Sequence, residues 1–90
     1  MKRAESLKEL QRIPGVGKAI AKDLYGLGIT SVGALKGRNP EQLYKRLCRQ
    51  QSWHIDRCML YVFRCAVYFA SQTRHDPARL RWWNWKDSGR

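Results

Sequence analysis

Ninety residues leave room for one modest hydrophobic core and no second one, so residues 1–90 are read as a single domain. Hydrophobic residues make up 43% and charged residues 28%, which excludes a disordered tail, and the most apolar stretch, Cys58 to Ala70, is broken by Arg64 and falls short of the ~20 residues a membrane span requires. Eighteen Lys and Arg against seven Asp and Glu give a net charge of +11, a self-repulsion best tolerated beside a polyanion such as nucleic acid.

Helical spacing dominates the whole chain and no alternating strand pattern occurs, so the expected fold is all-α. Ser6 is placed to cap a first short helix, with Glu9 completing a capping box and Leu7 and Leu10 facing inward, and Pro14 stops it. A second helix is expected from about Lys18 to Leu27, with Ile20, Ala21, Leu24 and Leu27 on one face and Gly28 as its left-handed cap. Thr30 or Ser31 then caps a short helix from Val32 to Lys36. Asn39 caps the next one, with Pro40 at its first position and Leu43, Tyr44 and Leu47 carrying it to about Arg49. The longest helix is expected from about Trp53 to Thr73. Its polar positions Arg57, Arg64 and Ser71 form a narrow solvent stripe, so the remaining elements should pack around it. A tail from Asp76 onward holds Trp82, Trp83 and Trp85 among Arg79, Arg81 and Lys86.

The segment with chemistry is Ile13-Pro14-Gly15-Val16-Gly17, running into Lys18-Ala19-Ile20-Ala21-Lys22. Two glycines spaced by one apolar residue permit a tight turn and leave backbone amides bare. The first N–H groups of a helix have no internal acceptor, and the macrodipole adds partial positive charge there, so a phosphate is the natural ligand. The expected phosphate-binding residues are the amides of Gly15, Val16, Gly17, Lys18 and Ala19, with Arg12, Lys18 and Lys22 as flanking cations. Such contacts position a protein on DNA without reading sequence, and no recognition helix for the major groove is present. A faint internal repeat places Gly37-Arg38-Asn39-Pro40 at the corresponding second turn, but without the Gly-x-Gly core, so one grip is expected rather than two.

Ile13 to Leu24 resembles the helix-hairpin-helix family of DNA repair and recombination proteins. From Leu7 to Trp82-Trp83-Asn84-Trp85-Lys86-Asp87, with the narrower match in Asp56-Arg57-Cys58-Met59-Leu60-Tyr61-Val62-Phe63-Arg64-Cys65-Ala66-Val67-Tyr68-Phe69-Ala70, the chain resembles the bacterial pathogenicity-locus family of small helix-hairpin-helix proteins. Some members of that family are labelled mitomycin-resistance proteins. The resemblance implies a helix-hairpin-helix (SAM-like) domain of about five helices and DNA binding, and it brings no catalytic residues.

Three further constellations compete with this reading. His54, Cys58 and Cys65, with Cys48 and His75 elsewhere, suggest a metal site, but Cys58 and Cys65 lie ~10 Å apart along a helix, too far for one tetrahedral ion, and no metal or other cofactor is expected. Trp82, Trp83 and Trp85 either stack on unpaired bases or cover the long helix. Asp23, Asp56, Asp76 and Asp87 are scattered and make no paired-carboxylate site, so no enzyme is expected. Three cysteines and an opening Met1-Lys2-Arg3 without a signal-peptide pattern point to the cytoplasm. The alternative function is a protein-interaction domain of the same fold; a membrane-surface role is weak because the apolar residues are needed for the core. Oligomeric state is left open.

Overall fold

In the computed structural model, which describes residues 2–52 and 55–87, four α-helices run in the order α1 (Arg3–Leu10), α2 (Lys18–Gly26), α3 (Pro40–Gln51) and α4 (Cys58–Ser71). Single 3-10 segments lie at Gly33–Leu35, Pro77–Leu80 and Trp82–Trp85, and no strand occurs among the described residues. The short helix expected between Val32 and Lys36 is the first of these 3-10 segments. The radius of gyration, 12.4 Å, is near the ~12 Å expected of a folded chain of this length.

Helix α1 starts earlier than Ser6. Lys2 is its cap residue, and its backbone N–H donates to the Glu5 carboxylate at 3.3 Å. Ser6 lies inside the helix, fully buried, and its hydroxyl has no partner among the described residues. Glu9 does not close a capping box. Its carboxylate accepts the Val32 N–H at 2.8 Å and so starts the Gly33–Leu35 turn, while the Ser31 hydroxyl accepts from Ala34. Helix α2 buries Ala21 and Leu24, and Gly28, two residues past its last residue Gly26, turns the chain away with φ +88°. Ile29 donates to the Leu24 carbonyl and Gly28 to that of Tyr25, a Schellman closure that the glycine permits. Side chains of α3 complete this end: Arg46 donates to the Leu27 carbonyl, Gln50 to that of Gly26, and Gln51 to the Asp23 carboxylate. Burial nevertheless raises the Asp23 pKa.

Helix α4 starts at Cys58, later than its periodicity suggests. The Asp56 side chain accepts the Cys58 N–H at 2.8 Å, a local alternative to continuing the helix backwards, and the Tyr44 hydroxyl donates to the Ile55 carbonyl. Trp53 and His54, expected at its beginning, lie outside the described residues. Leu60, Val62, Phe63, Cys65 and Ala66 are buried along α4, and each full-sized aliphatic or aromatic side chain among them contributes about 1.5–3 kcal/mol. The shared core also takes Leu10 and Ile13 from the first helix and turn, Leu24 and Ile29, and Leu43 and Leu47 of α3.

The stripe Arg57, Arg64 and Ser71 is a fastening seam, half-buried at Arg64 and Ser71 and open to solvent at Arg57. Arg64, with 19% of its side chain exposed, donates to the Trp85 carbonyl at 2.8 Å, pairs with Asp87 at 3.0 Å and lies 3.8 Å from Glu41. Arg57 pairs with Asp87 as well, and together the two guanidinium groups hold its carboxyl down at about 2. Ser71 accepts the Gly37 N–H at 3.1 Å. Helix α4 thus carries α3, the Gly33–Leu35 turn and the tail, whereas α1 pairs chiefly with α2.

Candidate functional site

The link between α1 and α2 contains a type II β-turn. Val16 donates to the Ile13 carbonyl at 3.0 Å, Pro14 occupies the second position and Gly15 the third, with φ +87°. Ile13 and Val16 point into the core, 1% and 5% exposed, which sets the turn against the two helices. Gly17 follows in extended conformation, φ −92°, as the cap residue of α2, and its carbonyl accepts from Ala21. The two glycines therefore serve different ends. Gly15 is required for its positive φ and for space, since a Cβ there would lie 2.9 Å from Cδ1 of Trp82. A Cβ on Gly17 would meet nothing within 4 Å, so glycine here only keeps the approach to the helix start open.

Among the described residues the N–H groups of Gly15, Gly17, Lys18 and Ala19 donate to no acceptor, and all four residues are exposed. The N–H of half-buried Ile20, at the same helix start, also donates to no acceptor among the described residues. Val16 leaves the expected set, because its N–H is spent inside the turn and its side chain is buried. Arg12, Lys18 and Lys22 are exposed and form no ion pair among the described residues.

The acidic residues are engaged elsewhere. Glu5, Glu9, Asp56 and Asp76 accept backbone N–H groups, Asp23 accepts from Gln51, and Asp87 and Glu41 face Arg57 and Arg64. Because those two arginines account for every ion pair among the described residues, most of the +11 charge is left on the surface.

The second turn repeats the backbone of the first. Arg38 donates to the Leu35 carbonyl, Lys36 has φ −57° and ψ 123°, and Gly37 has φ +72°, again a type II turn leading to a helix. Apart from the Asn39 N–H, its donors are consumed internally. The Asn39 side chain accepts from Glu41 at 2.9 Å and Gln42 at 3.3 Å, Pro40 has no N–H, and Gly37 donates to Ser71. Glu41 adds a negative charge to the first helical turn.

The tryptophans divide. Trp82 is half-buried on the core with its edge against Gly15. Trp85 is half-buried, donates from Nε1 to the Arg79 carbonyl at 2.7 Å, and packs 5.4 Å from Tyr68 with the Arg79 guanidinium over it. Trp83 is 51% exposed. Beside Gly15, a groove of about 370 Å³ is walled by Ile20, Ile55, Met59, Val62 and Trp82, with Asp56 and Cys58 at its edge. Among the described residues no group of three His, Cys, Asp or Glu side chains is placed to hold a metal ion, and His54 of the metal reading lies outside them. Cys65 is buried and its thiol is pushed up to about 11; Cys58 is exposed, and its hydrogen bond to Asp56 raises its pKa. No helix among the described residues is long and apolar enough to cross a membrane.

Residues 3–90 match the family described as Cdd1, pathogenicity locus. The chain is also similar to a Streptomyces lavendulae protein named mitomycin resistance protein McrB, with 31% identity over 77 residues, 86% of this chain and 70% of that protein. No solved structure matches it.

Proposed function

The chain belongs to the pathogenicity locus family, and on that footing we propose that it is a DNA-binding module whose α1–α2 unit is a helix-hairpin-helix gripping a backbone phosphate without reading sequence. The carrying observation is the set of N–H groups at the start of α2 that have no partner among the described residues and belong to exposed residues, flanked by the cations Arg12, Lys18 and Lys22, which form no ion pair among the described residues. In this reading the α1–α2 unit and the Gly33–Leu35 turn with α3 are paired hairpins of one SAM-like domain of about five helices, the 3-10 segment being counted. The amides fix the phosphate and the surrounding charge supplies most of the affinity. No catalytic role is proposed. The Streptomyces relative is named for mitomycin resistance, and a role in such resistance fits this reading.

A second reading, a protein-interaction domain, is favoured by the apolar groove between Ile20, Met59 and Trp82. The two readings part on salt. DNA affinity should fall with ionic strength with a log–log slope of about 0.9 per phosphate neutralised on duplex, and Lys22→Ala should lower that slope by about 1. Gly17→Val places a side chain over the amides in open space, so it should weaken binding about ten-fold with the thermal midpoint nearly unchanged. Wild-type affinity in folded Gly17→Val, with amide shifts centred away from residues 12–22, would refute the site.

A further inference from the structure

Trp83 stands apart from its neighbours in the Trp82–Trp85 turn. The other three residues are each tied down: Trp82 seats on Gly15 and the core, the Asn84 side chain donates to the Ala78 carbonyl at 2.7 Å, and the Trp85 indole donates to the Arg79 carbonyl. Arg64 holds the Trp85 carbonyl, so the turn is also fixed to α4. Trp83 alone projects outward, 51% exposed, meeting Trp82 at an interplanar angle of 87° with ring centroids 5.8 Å apart. It is the one exposed large hydrophobic side chain among the described residues. A fixed backbone presenting a rigid aromatic ring costs little further ordering when a flat partner lands on it. The surroundings select the partner's charge. Arg81 and Lys86 are exposed and unpaired among the described residues, while Asp76 and Asp87 are engaged with Ala78 and with Arg57 and Arg64. Through Trp82 the ring is one aromatic contact removed from Gly15 and its bare amides.

We infer that Trp83 is a stacking platform for an unpaired base of a strand whose phosphate lies on the Gly15–Ala19 turn, which gives the module a preference for single-stranded or locally unpaired DNA over intact duplex. The inference rests on the phosphate-grip reading and adds the form of DNA preferred. Bases in a duplex are already stacked on one another, so the ring can reward only an unpaired one.

The test compares the full chain with Trp83→Ala and Trp83→Phe on an oligothymidylate strand and on a duplex of equal length. Trp83→Ala should weaken single-strand binding about ten-fold and duplex binding less than two-fold, and Trp83→Phe should recover most of the loss. At saturation the wild-type chain should also quench a strand bearing 2-aminopurine, a measurement that needs no variant to fold. Equal losses on both DNAs, no loss on the single strand, or unchanged 2-aminopurine emission would each overturn the inference. In those cases Gly17→Val still weakening both DNAs would leave the phosphate grip standing. Failure of the intact chain to bind either DNA would overturn both.

Discussion

Two turns in this molecule share a backbone and differ in what they leave unsatisfied. Ile13–Val16 and Leu35–Arg38 are both type II turns with glycine at the left-handed position, and each delivers the chain into a helix. At the first, the cap residue is Gly17, which has no side chain to turn back on the helix, and the N–H groups of the next residues, Lys18 and Ala19, have no acceptor among the described residues. At the second, the cap residue is Asn39, whose side-chain oxygen takes two N–H groups, Pro40 removes a third, and Glu41 adds a negative charge to the first turn of the helix. The difference shows that an anion site is not a property of the turn. It depends on whether the cap residue satisfies the helix or leaves that to a ligand.

Grafting the second cap onto the first turn breaks the comparison most sharply. In Gly17→Asn/Lys18→Pro the asparagine side chain should occupy the N–H groups of Ala19 and Ile20, and proline removes both an N–H and a cation. Since a hydrogen bond to a charged group contributes about 1.5–3 kcal/mol, loss of two or more should lower DNA affinity by at least about two orders of magnitude. The helix itself gains a cap, so the thermal midpoint should hold or rise. Fluorescence anisotropy against salt and a melting curve check both; unchanged affinity in the capped variant would remove the amides from the binding site.

The parts of this fold that obey local rules could be read from the sequence. Gly28 as a left-handed cap, Asn39 followed by Pro40, and the inward Ile13 and Val16 each depend on residues within a few positions. The parts that failed depend on distant neighbours. Ser6 has the chemistry of a cap, but its place on the Leu7–Leu10 face of α1 buries it in the core, and Glu9 is drawn to Val32. Arg57, Arg64 and Ser71 have the spacing of a solvent stripe, and their partners, Asp87, Trp85 and Gly37, come from the tail and the second turn. Of the expected phosphate ligands, the exposed residues Gly15, Gly17, Lys18 and Ala19 have amides without a partner among the described residues, while Val16 does not, because a type II turn consumes the N–H at its fourth position. The seat of Trp82 on Gly15 carried no local signal at all.

That seat sharpens the comparison in stability. Gly15 and Gly37 both have positive φ, so alanine at either should cost about 1–2 kcal/mol in backbone strain. At Gly37 the new methyl would meet nothing within 4 Å, whereas at Gly15 it would lie 2.9 Å from the Trp82 ring. Gly15→Ala should therefore lower the thermal midpoint further than Gly37→Ala, by several degrees at ~4–8 °C per kcal/mol. Equal losses would mean that Trp82 yields freely.

The smallest effect should come from the fastening of the tail. Trp82 reaches Gly15 from a tail whose end is held to α4 by Asp87 on Arg57 and Arg64, whereas the second turn is held by Ser71 through a neutral hydrogen bond. Asp87 titrates at about 2 in the folded chain against an ordinary value of 3.8. A depressed carboxylate favours the folded arrangement above its unfolded pKa, and that contribution is lost as pH falls from about 4 through about 2. Both partners of the Arg57–Asp87 pair are substantially exposed, so salt screens it and the change should be modest. Acidification across this window should shift the Trp82 indole resonance before the Gly37 amide, and Asp87→Asn should reproduce the Trp82 change at neutral pH with Gly37 unmoved. Resonances moving together would show that the two turns respond as one unit and that the tail does not govern the first turn separately.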